Sequence, residues 1–100
     1  MKLAGSQILA ARDLLGLTQS ELAAAAGVSD KTIQNFEAGK SDPYPATLEK
    51  IRAELERRGI EFTNGDHPPS VGHGFGVRLN LDKAAVFAQA SPEGTKVADR

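Results

Sequence analysis

Lys31, Thr32, Gln34 and Asn35, which follow Ser29 and Asp30, are the side chains whose types and spacing best suit chemistry. That chemistry is hydrogen bonding to a partner, not bond breaking. In a helix starting after Ser29, positions 31, 34, 35 and 38 share a face opposite Ile33 and Phe36. Such a face suits the edges of base pairs. Asparagine can read adenine bidentately, lysine can read guanine O6 and N7, and a threonine methyl can meet that of thymine. Asp30 is awkward there. A carboxylate near phosphates is welcome only if it accepts from a cytosine amine or pairs with Lys31. Its ordinary reading, favoured on sequence grounds, is an acid stabilising the first turn of a helix.

The elements that must position this face are legible in residues 18–39. Thr18-Gln19-Ser20-Glu21 is a capping box, in which Thr18 accepts from the Glu21 N–H and the Glu21 carboxylate accepts from the Thr18 N–H. Leu22 supplies a core contact, and the alanines at 23–26 let a neighbouring helix approach closely. Gly27 ends the helix, Val28 turns inward and Ser29 caps the next one, whose apolar side repeats as Ile33 and Phe36. Helix, glycine-containing turn and helix over about twenty residues form a helix-turn-helix pattern.

Upstream, Ser6 is expected to cap a first helix running to Leu15, with Ile8, Ala11, Leu14 and Leu15 as its apolar stripe. Gly16 ends that helix and Leu17 staples the start of the next. Downstream, Gly39 and the polar Lys40-Ser41-Asp42 loop lead to Pro45, well suited to the first turn of a fourth helix. Leu48, Ile51 and Leu55 are expected inside that helix. Glu49, Lys50, Arg52, Glu54, Glu56, Arg57 and Arg58 are expected on its outside, and Tyr44 is expected to pack in the loop. Gly59 closes the helix.

From residue 60 the period changes to alternation. Residues 60–63 and 77–80 read as short half-buried strands, with a Gly- and Pro-rich loop over 64–76. A two-stranded hairpin is marginal by itself, so it should cover the helical core or pair with a second chain. Residues 82–90 read as a weak helix around Val86 and Phe87, and 91–100 as a polar tail. The expected organisation is therefore a helix-turn-helix unit over 1–59, a hairpin extension over 60–81, and a weak helix with tail over 82–100.

Thr18-Gln19, Glu21-Leu22-Ala23, Gly27-Val28-Ser29, Thr32-Ile33, Glu37, Gly39 and Pro45 together resemble the phage-repressor and Cro-type helix-turn-helix domain, also called the xenobiotic-response-element family. The resemblance covers residues 6–58. It implies a mainly α fold, a four-helix lambda-repressor-like DNA-binding bundle, here with a C-terminal β-hairpin extension. It also implies roles. Gln19 would bind a backbone phosphate and brace the helix over 29–38, which enters the major groove. Ser29, Asp30, Lys31, Thr32 and Asn35 would face the bases, with Gln34 at the edge of that surface and Lys40 on the other phosphate strand. Arg12 and Glu37 match a structural ion pair between the first and third helices. Many relatives add a fifth helix that completes a dimer contact, whereas here strands and a glycine-rich loop follow.

Composition sets limits on this reading. The 100 residues, 40% hydrophobic and 25% charged, fit one domain with a tail. No stretch approaches the roughly 18 apolar residues of a membrane span, and Lys2-Leu3-Ala4 does not make a signal peptide. The absence of cysteine excludes disulfides and thiolate metal sites, in keeping with a cytoplasmic protein. Residues 1–59 carry eight basic and eight acidic side chains, so affinity for DNA must come from a few placed groups rather than from bulk charge.

Other motifs read plainly. Gly72-His73-Gly74-Phe75-Gly76 precedes a strand and lacks a Lys-Ser/Thr ending, so it is a flexible loop rather than a phosphate cradle. His67 and His73 have no third ligand nearby, and no metal is expected. Arg57-Arg58 reads as a solvated helix end ahead of a phosphate contact. The polar residues lie on convex helical surfaces, so neither an enzyme nor a cofactor is expected. The expected function is a sequence-specific transcription regulator that binds double-stranded DNA as a homodimer and has no membrane association. The alternative is an antitoxin or other protein-interaction module on a helix-turn-helix scaffold, holding a protein partner through residues 60–90 with weak or no DNA binding.

Overall fold

The computed structural model describes residues 3–64 and 74–90. Helix α1 spans Gly5–Leu15, α2 Gln19–Ala26, α3 Asp30–Glu37 and α4 Pro45–Arg57. They are followed by strands β1 (Ile60–Asn64) and β2 (Phe75–Leu79) and by helix α5 (Leu81–Ala90). The architecture is mainly helical with a two-stranded antiparallel hairpin, as expected.

The start of α1 differs from expectation. Ala4, not Ser6, is its N-cap residue, and Ser6 lies exposed inside the first turn. The turn is closed by Gln7, whose Oε1 accepts from the Ala4 N–H at 2.9 Å. Gly5 sits where a Cβ would overlap the Phe36 carbonyl, so the beginning of α1 abuts the end of α3. Along α1 the buried apolar residues are Ile8, Ala11 and Leu15, while Leu14 is 39% exposed. Leu14 departs from the expected stripe because six residues carry it about 240° around the helix from Ile8, off the inward face.

The core joins all four leading helices. Ile8, Leu15, Leu22, Ile33, Ile51 and Leu55 are fully buried, with Leu48 and Val28 partly buried against them. Pro45 occupies the first turn of α4, as its missing N–H favours. Tyr44, expected to pack, is instead 83% exposed. The residue before a proline is held extended, here at φ −60° and ψ 152°, and the ring is left in solvent.

The hairpin is longer at its loop end than alternation suggested. Asn64 pairs with Phe75 and Ile60 with Leu79, so positions assigned to a loop belong to strands. Ile60 and Phe62 are buried, and Val77 and Leu79 pack beside them. The hairpin thus covers the helical core, the first of the two outcomes foreseen for it. Its main anchor is Gln7. This buried side chain donates through Nε2 to the Thr63 carbonyl at 3.2 Å, the Gly76 carbonyl at 3.2 Å and Asn64 Oδ1 at 2.9 Å.

Helix α5 follows the hairpin, with the Asn80 N–H donating to the Gly59 carbonyl at 2.8 Å. Phe87 is buried and Val86 exposed. The guanidinium groups of Arg57 and Arg58 lie 4.8 and 4.7 Å from the Phe87 ring centroid, a cation–π arrangement. Glu54 and Arg58 were expected on the outside of α4, and both are buried. At that end of α4 the Phe87 ring of α5 packs against the Arg58 guanidinium. Arg58 Nε donates to Glu54 Oε2 at 2.7 Å, so the two charges are removed from water as a pair. His67, His73, Gly72 and the 91–100 tail lie outside the described residues.

Candidate nucleic-acid interface

Both bonds of the capping box form at the start of α2: the Glu21 N–H donates to Thr18 Oγ1 at 3.0 Å and the Thr18 N–H to Glu21 Oε1 at 2.9 Å. Gly27, in the left-handed region at φ 74°, ends the helix, and the Val28 N–H donates back to the Ala23 carbonyl at 3.0 Å. Ser29 then caps α3, its Oγ accepting from the Thr32 N–H at 3.2 Å. The same oxygen lies 2.9 Å from Thr32 Oγ1. Local hydrogen bonds therefore end α2, form the turn and start α3, and burial of Leu22, Ala23, Ile33 and Phe36 in a shared core packs the two helices together.

Ile33 and Phe36 are buried beneath α3. Lys31 and Gln34 are exposed and Asn35 half-exposed, and none of these three side chains has a hydrogen bond or ion pair to another described residue. Lys40, also exposed, follows in a loop held by its own N–H, which donates to the Asn35 carbonyl at 2.8 Å. The polar side of α3 is an open surface, bordered by the Lys40 loop on one side and the start of α2 on the other.

Glu37 anchors that surface from behind. Its two oxygens accept from Arg12 Nε at 2.9 Å and Arg12 Nη2 at 3.0 Å, a bidentate pair between α1 and α3. Arg12 also donates from Nη1 to the Leu17 carbonyl at 2.9 Å, and Gln19 Nε2 donates to Glu37 Oε1 at 2.9 Å. One acidic residue thus ties α1, α2 and α3 together. The hydrogen bond to Glu37 raises the Arg12 pKa above its already high ordinary value, so this cation stays charged. One amide hydrogen of Gln19 is used in this bond, and the amide carries a second.

Asp30 has a partner that the sequence did not suggest. Ser20 Oγ donates to Asp30 Oδ2 at 2.7 Å, linking the first turns of α2 and α3. Lys31, the alternative partner, makes no ion pair with it among the described residues. The Ser20–Asp30 contact was not foreseen because nothing in the spacing of residues 20 and 30 signals it; it depends on how the two helices cross.

Arg57 and Arg58 are not the solvated helix end that the sequence suggests: both are paired with Glu54. Arg57 Nη2 lies 2.8 Å from Glu54 Oε2, and Arg58 is buried. They belong to the packing of α5. Among the described residues no three acidic or histidine side chains gather as a metal site, and no helix is long and apolar enough to cross a membrane.

A family model described as helix-turn-helix matches residues 8–62, from α1 into the first strand. A comparison with curated proteins finds no match.

Proposed function

The chain belongs to the helix-turn-helix family of the phage-repressor and Cro type, whose members are DNA-binding transcription regulators, and on that premise we propose that it reads a specific duplex as a homodimer. In this reading α3 enters the major groove. Lys31, Thr32 and Asn35 meet base edges with Ser29 and Asp30 at the helix start, Gln34 lies at the rim, and Gln19 and Lys40 bind phosphates on either side. A dimer places two such helices in successive major grooves about 34 Å apart, on a site with matching two-fold symmetry.

The observation that supports this reading most is the open polar side of α3. Lys31, Gln34 and Asn35 point away from Ile33 and Phe36, and the hairpin and α5 leave them uncovered. A neutral chain can bind in this way because a few positioned contacts supply orientation and base readout. The test is a salt titration of binding to a duplex selected from a random pool. Affinity that falls steeply with salt, and that Lys31→Ala or Asn35→Ala impairs, supports the regulator.

Phe75, Leu81 and Val86, exposed on the hairpin and α5, favour a second reading as a protein-interaction module. Under it, pull-downs recover a stoichiometric protein partner held by residues 60–90 and no duplex is selected.

A further inference from the structure

Ser20 is the second residue of α2 and Asp30 the first of α3, and their side chains are joined by the 2.7 Å bond from Ser20 Oγ to Asp30 Oδ2. Both residues are exposed. An acid that served only the helix dipole would need no such partner. Ser20 gives the carboxylate a direction, and its other oxygen, Oδ1, is free of hydrogen bonds among the described residues. Resting on the duplex-reading function proposed above, we infer that Asp30 selects cytosine, accepting through Oδ1 from the exocyclic amine of a C·G pair.

The argument follows from what each base offers in the major groove. A carboxylate is an acceptor only. Guanine presents two acceptors and thymine one, so both confront it with like partial charges. Adenine presents a donor, N6, flanked by the acceptor N7, and a carboxylate that reaches the first oxygen-to-amine bond meets that lone pair as well. Cytosine's own ring presents the N4 donor beside a C5–H, and the nearest acceptor, O6, belongs to the paired guanine. Cytosine is the one base whose own edge satisfies the charge without opposing it. A mismatch leaves the carboxylate desolvated and unpaired next to phosphates, so the discrimination arises more from rejection of wrong bases than from attraction to the right one. Ser20 acts as a positioning residue. By holding Oδ2 it prevents the carboxylate from swinging out to solvent, where a wrong base would be tolerated.

The full-length chain and its Asp30→Asn, Ser20→Ala and Lys31→Ala variants are each presented with a random duplex pool at one fixed low ionic strength, and circular dichroism verifies that each is folded. The expected result is a cytosine at one position of each half-site, preferred by about ten-fold or more over other bases. Asp30→Asn shifts that single position toward adenine, which an amide can pair with bidentately. Ser20→Ala weakens the cytosine preference several-fold and leaves the other positions alone. Lys31→Ala changes a different position. If the chain selects a duplex but Asp30→Asn leaves every base preference unchanged, the cytosine assignment is wrong while the regulator reading stands. If no duplex is selected by any of them, both fail together.

Discussion

Glu37 receives Arg12 through two parallel N–H···O bonds of 2.9 and 3.0 Å, and this fork joins the first helix of the protein to the last turn of the helix that carries the candidate interface. The Glu37 side chain is only 5% exposed, so water cannot replace a missing partner. Arg12→Ala is expected to destabilise the fold by about 3 kcal/mol, the usual cost of leaving one member of a buried pair behind. Urea denaturation monitored by circular dichroism measures it. An unchanged midpoint would show that Gln19 alone suffices to hold Glu37.

Gln7 is the counterpart of that pair on the opposite side of α1. Its amide nitrogen serves two backbone carbonyls of the hairpin and the Asn64 side chain. Gln7→Ala removes the donor from acceptors that are partly buried, at a cost of about 1–3 kcal/mol. The effect should be local before it is global. Amide hydrogen exchange in β1 and β2 is expected to accelerate more than in α2 and α3.

Phe87 holds α5 against the rest of the protein through its contact with Arg57 and Arg58. Phe87→Leu preserves most apolar volume but removes the ring face, and should cost about 1 kcal/mol. Phe87→Ala should cost about 3 kcal/mol or more and release α5. Thermal denaturation of the two variants separates ring electrostatics from simple filling of space.

Glu61 provides the pH dependence. Hydrogen bonds from Asn80, Lys83 and Arg78, in that order of effect, hold its carboxyl at about 2 against an ordinary value of 4.5. The folded state therefore binds this proton less readily than the unfolded chain does. Its contribution is complete above about pH 4.5 and disappears as pH falls toward 2. Wild type and Glu61→Gln should differ in melting temperature at pH 6 and converge at the acid end of that window. Because Glu61 is solvent-accessible, high salt should also narrow the difference.

For the interface, Lys40→Ala should weaken binding to all duplexes alike and lower the slope of log K against log salt by about 0.9, the loss of one phosphate contact. Asn35→Ala should leave that slope almost unchanged and cost about 1–3 kcal/mol of preference at one base pair. A base-specific loss for Lys40→Ala would reverse the assignment of the two residues.

The parts of this protein that were legible in its residue order are those in which cause and effect lie within one helical turn. Thr18 with Glu21, Gly27, and Ser29 with Thr32 each satisfy backbone groups three or so residues away, so the two helices of the motif and the turn between them followed from type and spacing. Ile33 and Phe36 turned the polar side of α3 outward by the same periodicity. Tertiary structure decided everything that depends on a distant partner. Gln7 reads as an unremarkable polar residue until the strand carbonyls 56 and 69 residues further on arrive beside it. Glu54 and Arg58 look like surface charges until Phe87 meets the Arg58 guanidinium and the two are buried as a pair, and Asp30 looks like a helix-start acid until Ser20 Oγ reaches it. Hydrogen bonds of short sequence separation are dictated by backbone geometry that every helix shares. Those of long separation exist only after the apolar faces have chosen how to pack, and no local pattern records that choice.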